Sequence, residues 1–287
     1  MSIERAANAL AGVDVFATGS AWLPPDLLDR VADESGVSDR ALAHATAATS
    51  LGVDLAFVDS DGDSAVAEVD ALHEADIATV WAVPGVFGRI CKDLGWTEAL
   101  RLTVADPGAL AVRLDEALHE ALEAARRGPL AGADALLVAD ELAGASGPLL
   151  PPDYALDALV PCYHRLAAEA VLSGLPALFH SDGDVRVLFP SISRAGFSAV
   201  HLAGLSPAQF AVDAAAARNA GLVVLGGLSA PAALGVSRDA GARVGAFAAS
   251  LGGVIVCDDG GITTLEELAG VQVALEAARE SYRRVQG

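Results

Sequence analysis

Three short clusters combine side chains able to do chemistry. PALFHSDGDV sets His180 two residues before Asp182 and four before Asp184. VADEL places Asp140 beside Glu141, and VCDDGG places Cys257 beside Asp258 and Asp259. Imidazole nitrogen, carboxylate oxygen and thiolate are the donor types that zinc takes. Carboxyl and imidazole groups in reach of one another also serve as general acids and bases. Each residue has an ordinary role to weigh as well. His180 could be a hydrogen-bonded structural histidine, the aspartates could cap the helices that follow them, and Cys257 could be a small buried apolar residue.

The elements that must position these groups show in the hydrophobic pattern. Short apolar runs ending in Gly, Asp or Pro alternate with longer stretches of helical period. The runs are Val13–Ala17, Val53–Val58, Ile77–Val83, Ala133–Ala139, Pro176–His180, Ser198–Leu202, Leu222–Leu225 and Gly253–Val256. Buried parallel strands read in this near-continuous way. Between them, Asp39 precedes RALAHATAATSLG, Asp106-Pro107 opens a long amphipathic stretch, and Leu265–Val285 forms a last helix. Pro161, inside DYALDALVPCYHRLAAEAVLSG, predicts a kink or a break. No GxGxxG follows the first run, which disfavours an open dinucleotide-binding sheet. The expected fold is therefore α/β, a (β/α)8 TIM barrel formed by residues 1–287 as one domain.

In such a barrel, chemistry sits where strands end. The strand ends here carry Thr18, Ser20, Trp22, Asp59, Asp61, Asp63, Asp140, Glu141, His180, Asp182, Asp184, Cys257, Asp258 and Asp259. Lys and Arg are missing from that set; Arg89 and Arg186 come nearest, both in helical patterns. Such a mouth suits a cation, whereas phosphates or polycarboxylates call for Arg clamps. DSDGDSAVAEVD looks like a calcium loop, but the sixth and twelfth positions hold Ser64 and Asp70 where an EF-hand needs Gly and Glu. A turn with a helix cap is the expectation there.

Bulk properties narrow the class. Hydrophobic residues make up 53% of 287 and charged residues 20%, so a large core is expected. A net charge of −20 argues against nucleic acid and anionic membranes as partners. Cys91, Cys162 and Cys257 form no CxxC pair, and the first residues lack a signal-peptide apolar core, so a cytoplasmic location is expected.

From Gly132 onward several pieces occur in a set order: VADEL, PLLPPDY, VPCYHRL, PALFHSDGDV, LFPSISRAGFSAVHL and LVVLGG. Together they resemble the C-terminal half of the uroporphyrinogen decarboxylase superfamily, on its cobalamin-dependent methyltransferase side. That branch holds zinc with a histidine, a cysteine two residues later and a late cysteine. The resemblance implies His180 as the first ligand, Asp182 where the family has cysteine, and Cys257 as the late position. Glu141 or Asp140 would serve as a further ligand or as a general acid/base. An oxygen donor in place of sulfur makes a harder site, better suited to activating an ether or amine than a thiol.

The resemblance also implies a methyl group moved between a small-molecule donor or acceptor and a corrinoid carried by a separate protein, with a homodimer allowed. The decarboxylase branch carries an arginine-rich N-terminal stretch, whereas no Arg or Lys lies between Arg5 and Arg30 here. Two alternatives stand beside this reading: a metal-free decarboxylase or lyase acting on a small acid, and a non-catalytic ligand-binding barrel.

Overall fold

Eight parallel strands close on themselves in the computed structural model, which describes residues 1–144, 146–230 and 235–287. They are β1 Thr18–Ser20, β2 Leu55–Asp59, β3 Ala78–Pro84, β4 Ala135–Ala139, β5 Ala177–Asp182, β6 Ala199–Ala203, β7 Val223–Leu228 and β8 Val254–Asp258. Each pairs with its sequence neighbours, and β8 pairs with β1 to complete the ring. The expected (β/α)8 barrel is the fold.

Two shells of apolar side chains follow from the period of two along each strand. Phe57, Val80, Leu137, Leu178, Leu225 and Ile255 point inward and fill the lumen. Their neighbours, such as Val58, Trp81, Leu136, Phe179 and Val224, point outward beneath the helices. Helix α1 (Ser2–Leu10) closes the N-terminal end, with Ala6, Ala9 and Leu10 buried among the inward residues. The opposite end is left to carry function.

The helices follow their sequence signals. α2 is Pro25–Ser35 and α3 is Arg40–Leu51, the latter capped by Asp39, which accepts from the Leu42 N–H at 2.9 Å. α4 (Ala65–Glu74) follows the DSDGDS turn, in which Asp59 Oδ1 accepts from the Asp61 N–H. α7 (Ala111–Ala131) packs on β3, with α5 (Val86–Leu94) against α7 and α6 (Trp96–Ala105) against α5. Residues Ala155–Leu159 wind as a π turn that runs on in helical dihedrals into α8 (Val160–Leu172), so the chain passes Pro161 by a local change of helical winding and does not break there. The chain then adds α9 (Phe189–Ala195), α10 (Pro207–Asn219), α11 (Ser237–Leu251) and α12 (Leu265–Gln286).

Strand edges differ from the sequence expectation in one direction. β1 begins after the run Val13–Ala17, and β7 and β8 extend past theirs to Leu228 and Asp258. Apart from Leu228, the added residues are small or polar (Thr18, Gly19, Ser20, Gly226, Gly227, Cys257, Asp258), so hydrophobicity does not mark them, yet the ladder includes them. Gly226 is required: its φ is 139°, and a Cβ there would lie 2.5 Å from the Leu202 carbonyl oxygen.

Candidate functional site

At the C-terminal mouth, β4 and β5 bring three side chains together. Inward positions on β4 are 135, 137 and 139, so Glu141 continues the inward series; on β5 the series is 178, 180 and 182. The imidazole Nε2 of His180 lies 3.6 Å from Glu141 Oε1 and 3.8 Å from Asp182 Oδ1. One donor atom from each residue falls within 4.8 Å of the others. The Asp182 N–H also donates to Glu141 Oε2 at 3.2 Å, tying the two strand ends together.

Behind His180 stands His201 on β6, which the sequence reading did not single out. His180 and His201 are directly paired across the ladder, and their rings stack at 4.9 Å. Their Nδ1 atoms are 2.9 Å apart, and His201 Nε2 lies 2.8 Å from the Asp258 carbonyl oxygen. A carbonyl only accepts, so His201 Nε2 carries the hydrogen. Burial, aided by the charge of His180, holds the His201 ring down to about 3, so it is neutral and its Nδ1 is a bare acceptor. His180 Nδ1 must then be the donor. Its Nε2 is left facing two carboxylates, either with a proton or with a lone pair turned towards a cation.

The surroundings sharpen this arrangement. Trp22 meets His180 edge-on at 4.9 Å, and Phe57 meets His201 at 5.1 Å, so apolar rings wall the imidazoles. Burial raises the Glu141 carboxyl, but the facing imidazole and the Asp182 N–H outweigh it and hold the group below its ordinary value. Burial and the charge of Glu141 raise Asp182. Beside Glu141 and Asp182 a recess of about 380 Å³ opens, lined also by Trp96, Leu149, Gly183 and Gly204.

Two residues expected at the site lie elsewhere. Asp140 points the other way from Glu141, as adjacent residues on an extended chain must. Its carboxylate accepts from the N–H groups of Phe87 and Gly88 at 2.9 and 2.6 Å and from the Tyr163 hydroxyl at 2.8 Å. It thus caps the N-terminus of α5 and bolts it to α8, and burial pushes it up to about 6. The catalytic role expected of Asp140 is corrected to this capping role.

Cys257 does point inward, but too deep. Extending the ladder carries the row through Asp182 to Ala203, Gly227 and Cys257, and on to Gly19. In a barrel of this kind such rows descend by roughly one residue per strand. Cys257 therefore lies in the packed lumen against Gly19, fully buried, outside the donor cluster. Burial and the neighbouring carboxylates Asp258 and Asp259 push its thiol well above the ordinary range, which suits a packed thiol and not a thiolate ligand. The metal-ligand expectation for Cys257 is corrected accordingly.

The donors that remain fit zinc. Ligand atoms held at roughly 2.0–2.2 Å in a tetrahedron lie about 3.4 Å from one another, so the observed spacings need only small side-chain shifts. One imidazole and two carboxylates are three donors, one short of a tetrahedral set. Asp184 is not a donor here, because it pairs with Arg186 at 2.6 Å.

No protein-family model matches the chain, and no curated protein matches it significantly. Among solved structures, a methyltransferase from Methanosarcina mazei superposes with a TM-score of 0.74 at 16% identity, covering 98% of this chain and 99% of that one. A D-psicose 3-epimerase with D-tagatose from Clostridium cellulolyticum H10 gives 0.58 at 12% identity over 93% and 99%. A tryptophan synthase from M. tuberculosis gives 0.54 at 16% identity over 98% of each chain. At these identities the likeness shows the barrel fold.

Proposed function

We propose that the chain is a zinc-dependent methyltransferase, moving a methyl group between a small substrate and a corrinoid carried on a separate protein. The observation that carries the metal part is the convergence of Glu141, His180 and Asp182 with His180 Nε2 turned towards both acids. The methyl-transfer part is supported by the ordered resemblance from Gly132 onward and by the overall similarity to a barrel described as a methyltransferase. Bound at these donors, zinc would supply a Lewis-acidic centre with an open position for the oxygen, nitrogen or sulfur that carries or receives the methyl group.

The chain's own residues divide the remaining work. His201 fixes the tautomer and plane of His180, as the partners of metal-bound histidines do. Trp22 and Phe57 keep water from the rings' faces. Glu141 and Asp182 would balance the charge of the ion as its oxygen donors.

A second reading follows from the same chain of nitrogens. With a proton in place of the ion, His180 Nε2 would donate to a small acid, and the protein would be a metal-free lyase. Zinc titration separates the two. Protein purified without chelator is expected to contain near-stoichiometric zinc, lost in His180→Ala and Glu141→Ala. Its zinc form is expected to convert cob(I)alamin to methylcobalamin with a methylated amine or ether, followed by the visible spectrum. Protein that takes up no zinc, with turnover untouched by chelators, would leave the lyase standing and end the metal reading.

A further inference from the structure

Beside the donor cluster, a second and larger cavity of about 570 Å³ lies between α10 and α11, over the ends of β6 and β7. Its walls are apolar: Leu202, Leu205, Phe210, Leu228, Val244 and Phe247. Gly227 keeps its floor clear. A Cβ there would lie 2.8 Å from Val244 Cγ1 and 3.0 Å from Phe210 Cε1, in a backbone with φ of 102°.

Two charged groups break the apolar lining. Arg243 lines the cavity from α11; it is exposed and makes no ion pair or hydrogen bond among the described residues. Asp259 lines it where the chain leaves β8; its Oδ1 is turned into the protein without a hydrogen-bond partner, so the remainder of the carboxylate is what the cavity meets. A carboxylate oxygen so placed is costly unless a donor meets it. The cavity also adjoins the cluster: Ala203, which lines it, is the ladder partner of Asp182, and the charge of Asp259 acts on Asp182.

We infer that this cavity is a ligand site for an amphipathic molecule with an apolar body, an ammonium or hydroxyl donor at Asp259 and an anionic terminus at Arg243. The apolar walls take the body, and a cavity of this size falls in the range of small-molecule sites. The donor end meets the Asp259 carboxylate next to the acidic mouth, where a cation is favoured over an anion. The anionic end reaches the rim, where Arg243 is the unpaired positive charge. Joined to the cluster in this way, the cavity selects a substrate with a sizeable apolar portion, whose donor-bearing end is presented to Glu141, His180 and Asp182; this selection rests on the proposed function of that cluster, whereas binding in the cavity does not.

The test is isothermal titration with ω-aminooctanoate, octanoate and octylamine. The first is expected to bind most tightly, since it alone carries both an ammonium and a carboxylate. Arg243→Gln is expected to weaken ω-aminooctanoate about fivefold and leave octylamine unchanged. Asp259→Asn is expected to weaken it about tenfold and leave octanoate unchanged. Ala240→Trp, which fills the cavity from α11, should abolish binding of all three while zinc content stays as in the parent. Glu141→Ala should do the reverse, losing zinc and keeping the probe. Binding of no probe by the parent, or of ω-aminooctanoate at parental strength by the Arg243→Gln or the Ala240→Trp variant, overturns the inference. Since Arg243 is exposed, that variant folds whether or not the tryptophan variant does. Failure of zinc to bind while the probes behave as described would end the metal reading and leave the cavity assigned.

Discussion

Replacing Asp140 by alanine separates a cap from a catalyst. The substitution strands two backbone N–H donors, of Phe87 and Gly88, and the buried Tyr163 hydroxyl. Each orphaned donor costs roughly 1–3 kcal/mol. Against this stands relief of the burial that pushes the carboxyl from 3.8 up to about 6, worth about 3 kcal/mol at neutral pH. The net expectation is a loss of about 3 kcal/mol, or about 6 °C in Tm for a chain of this length. The difference should also depend on pH. A carboxyl raised in the folded state gives stability that is fully present below its unfolded value and is lost as pH rises through the folded value. The parent should therefore exceed Asp140→Ala by about 1.4 kcal/mol more at pH 5 than at pH 7.5. Urea unfolding of both proteins at the two pH values measures this, with zinc content read alongside. Equal stability with loss of zinc or activity would return Asp140 to the site and refute the cap argument.

Other substitutions test the remaining contacts. His201→Phe keeps an aromatic ring but removes the acceptor for His180 Nδ1; zinc affinity measured by competition with a chelator should fall about tenfold to a hundredfold. The buried neutral His201, held down to about 3, gives stability that is present above its unfolded value of 6.5 and lost as pH falls. The parent should accordingly lose about 2 kcal/mol between pH 7.5 and 5 on this account, a slope that His201→Phe lacks in urea titrations. Gly241→Ala and Gly245→Ala would drive a methyl group into the Ala274 and Ala278 carbonyls of α12, so each should cost about 2 kcal/mol or more in thermal unfolding.

Much of the architecture is legible because buried parallel strands write themselves as apolar runs: seven of the eight runs overlap their strands, while Val13–Ala17 stops just short of β1. The strands' polar and glycine ends are not, since nothing in hydrophobicity marks Thr18, Gly19 or Gly226 as ladder residues. Glu141, His180 and Asp182 could be placed by position at strand ends. The choice of Glu141 over Asp140 is written in the alternation of Ala135, Leu137 and Ala139, which Glu141 continues and Asp140 does not. His201 was legible in the same way: a histidine inside an apolar strand is buried and needs partners, and its parity matches that of the lumen residues. Cys257 was a different matter. Its parity is right, and only the descent of the ladder rows around a closed barrel sinks it below the mouth. That is a property of the closed sheet and not of any local segment.

The division of labour among the donors follows from what holds each one. His180 is the end of a buried series that starts from a backbone carbonyl on β8 and passes through His201 on β6. The Asp258 side chain extends that series to β1 and the β8 loop by accepting from the Ala21 and Gly260 N–H groups. The imidazole is thus positioned by four strands at once, and its side chain is only 5% exposed. Glu141 and Asp182, by contrast, are 41% and 50% exposed at strand ends, free to turn through small angles. One fixed nitrogen and two adjustable oxygens can close on an ion without moving the barrel. The same asymmetry means that stability should be sensitive at His201 and insensitive at Glu141, while zinc binding should be sensitive at both.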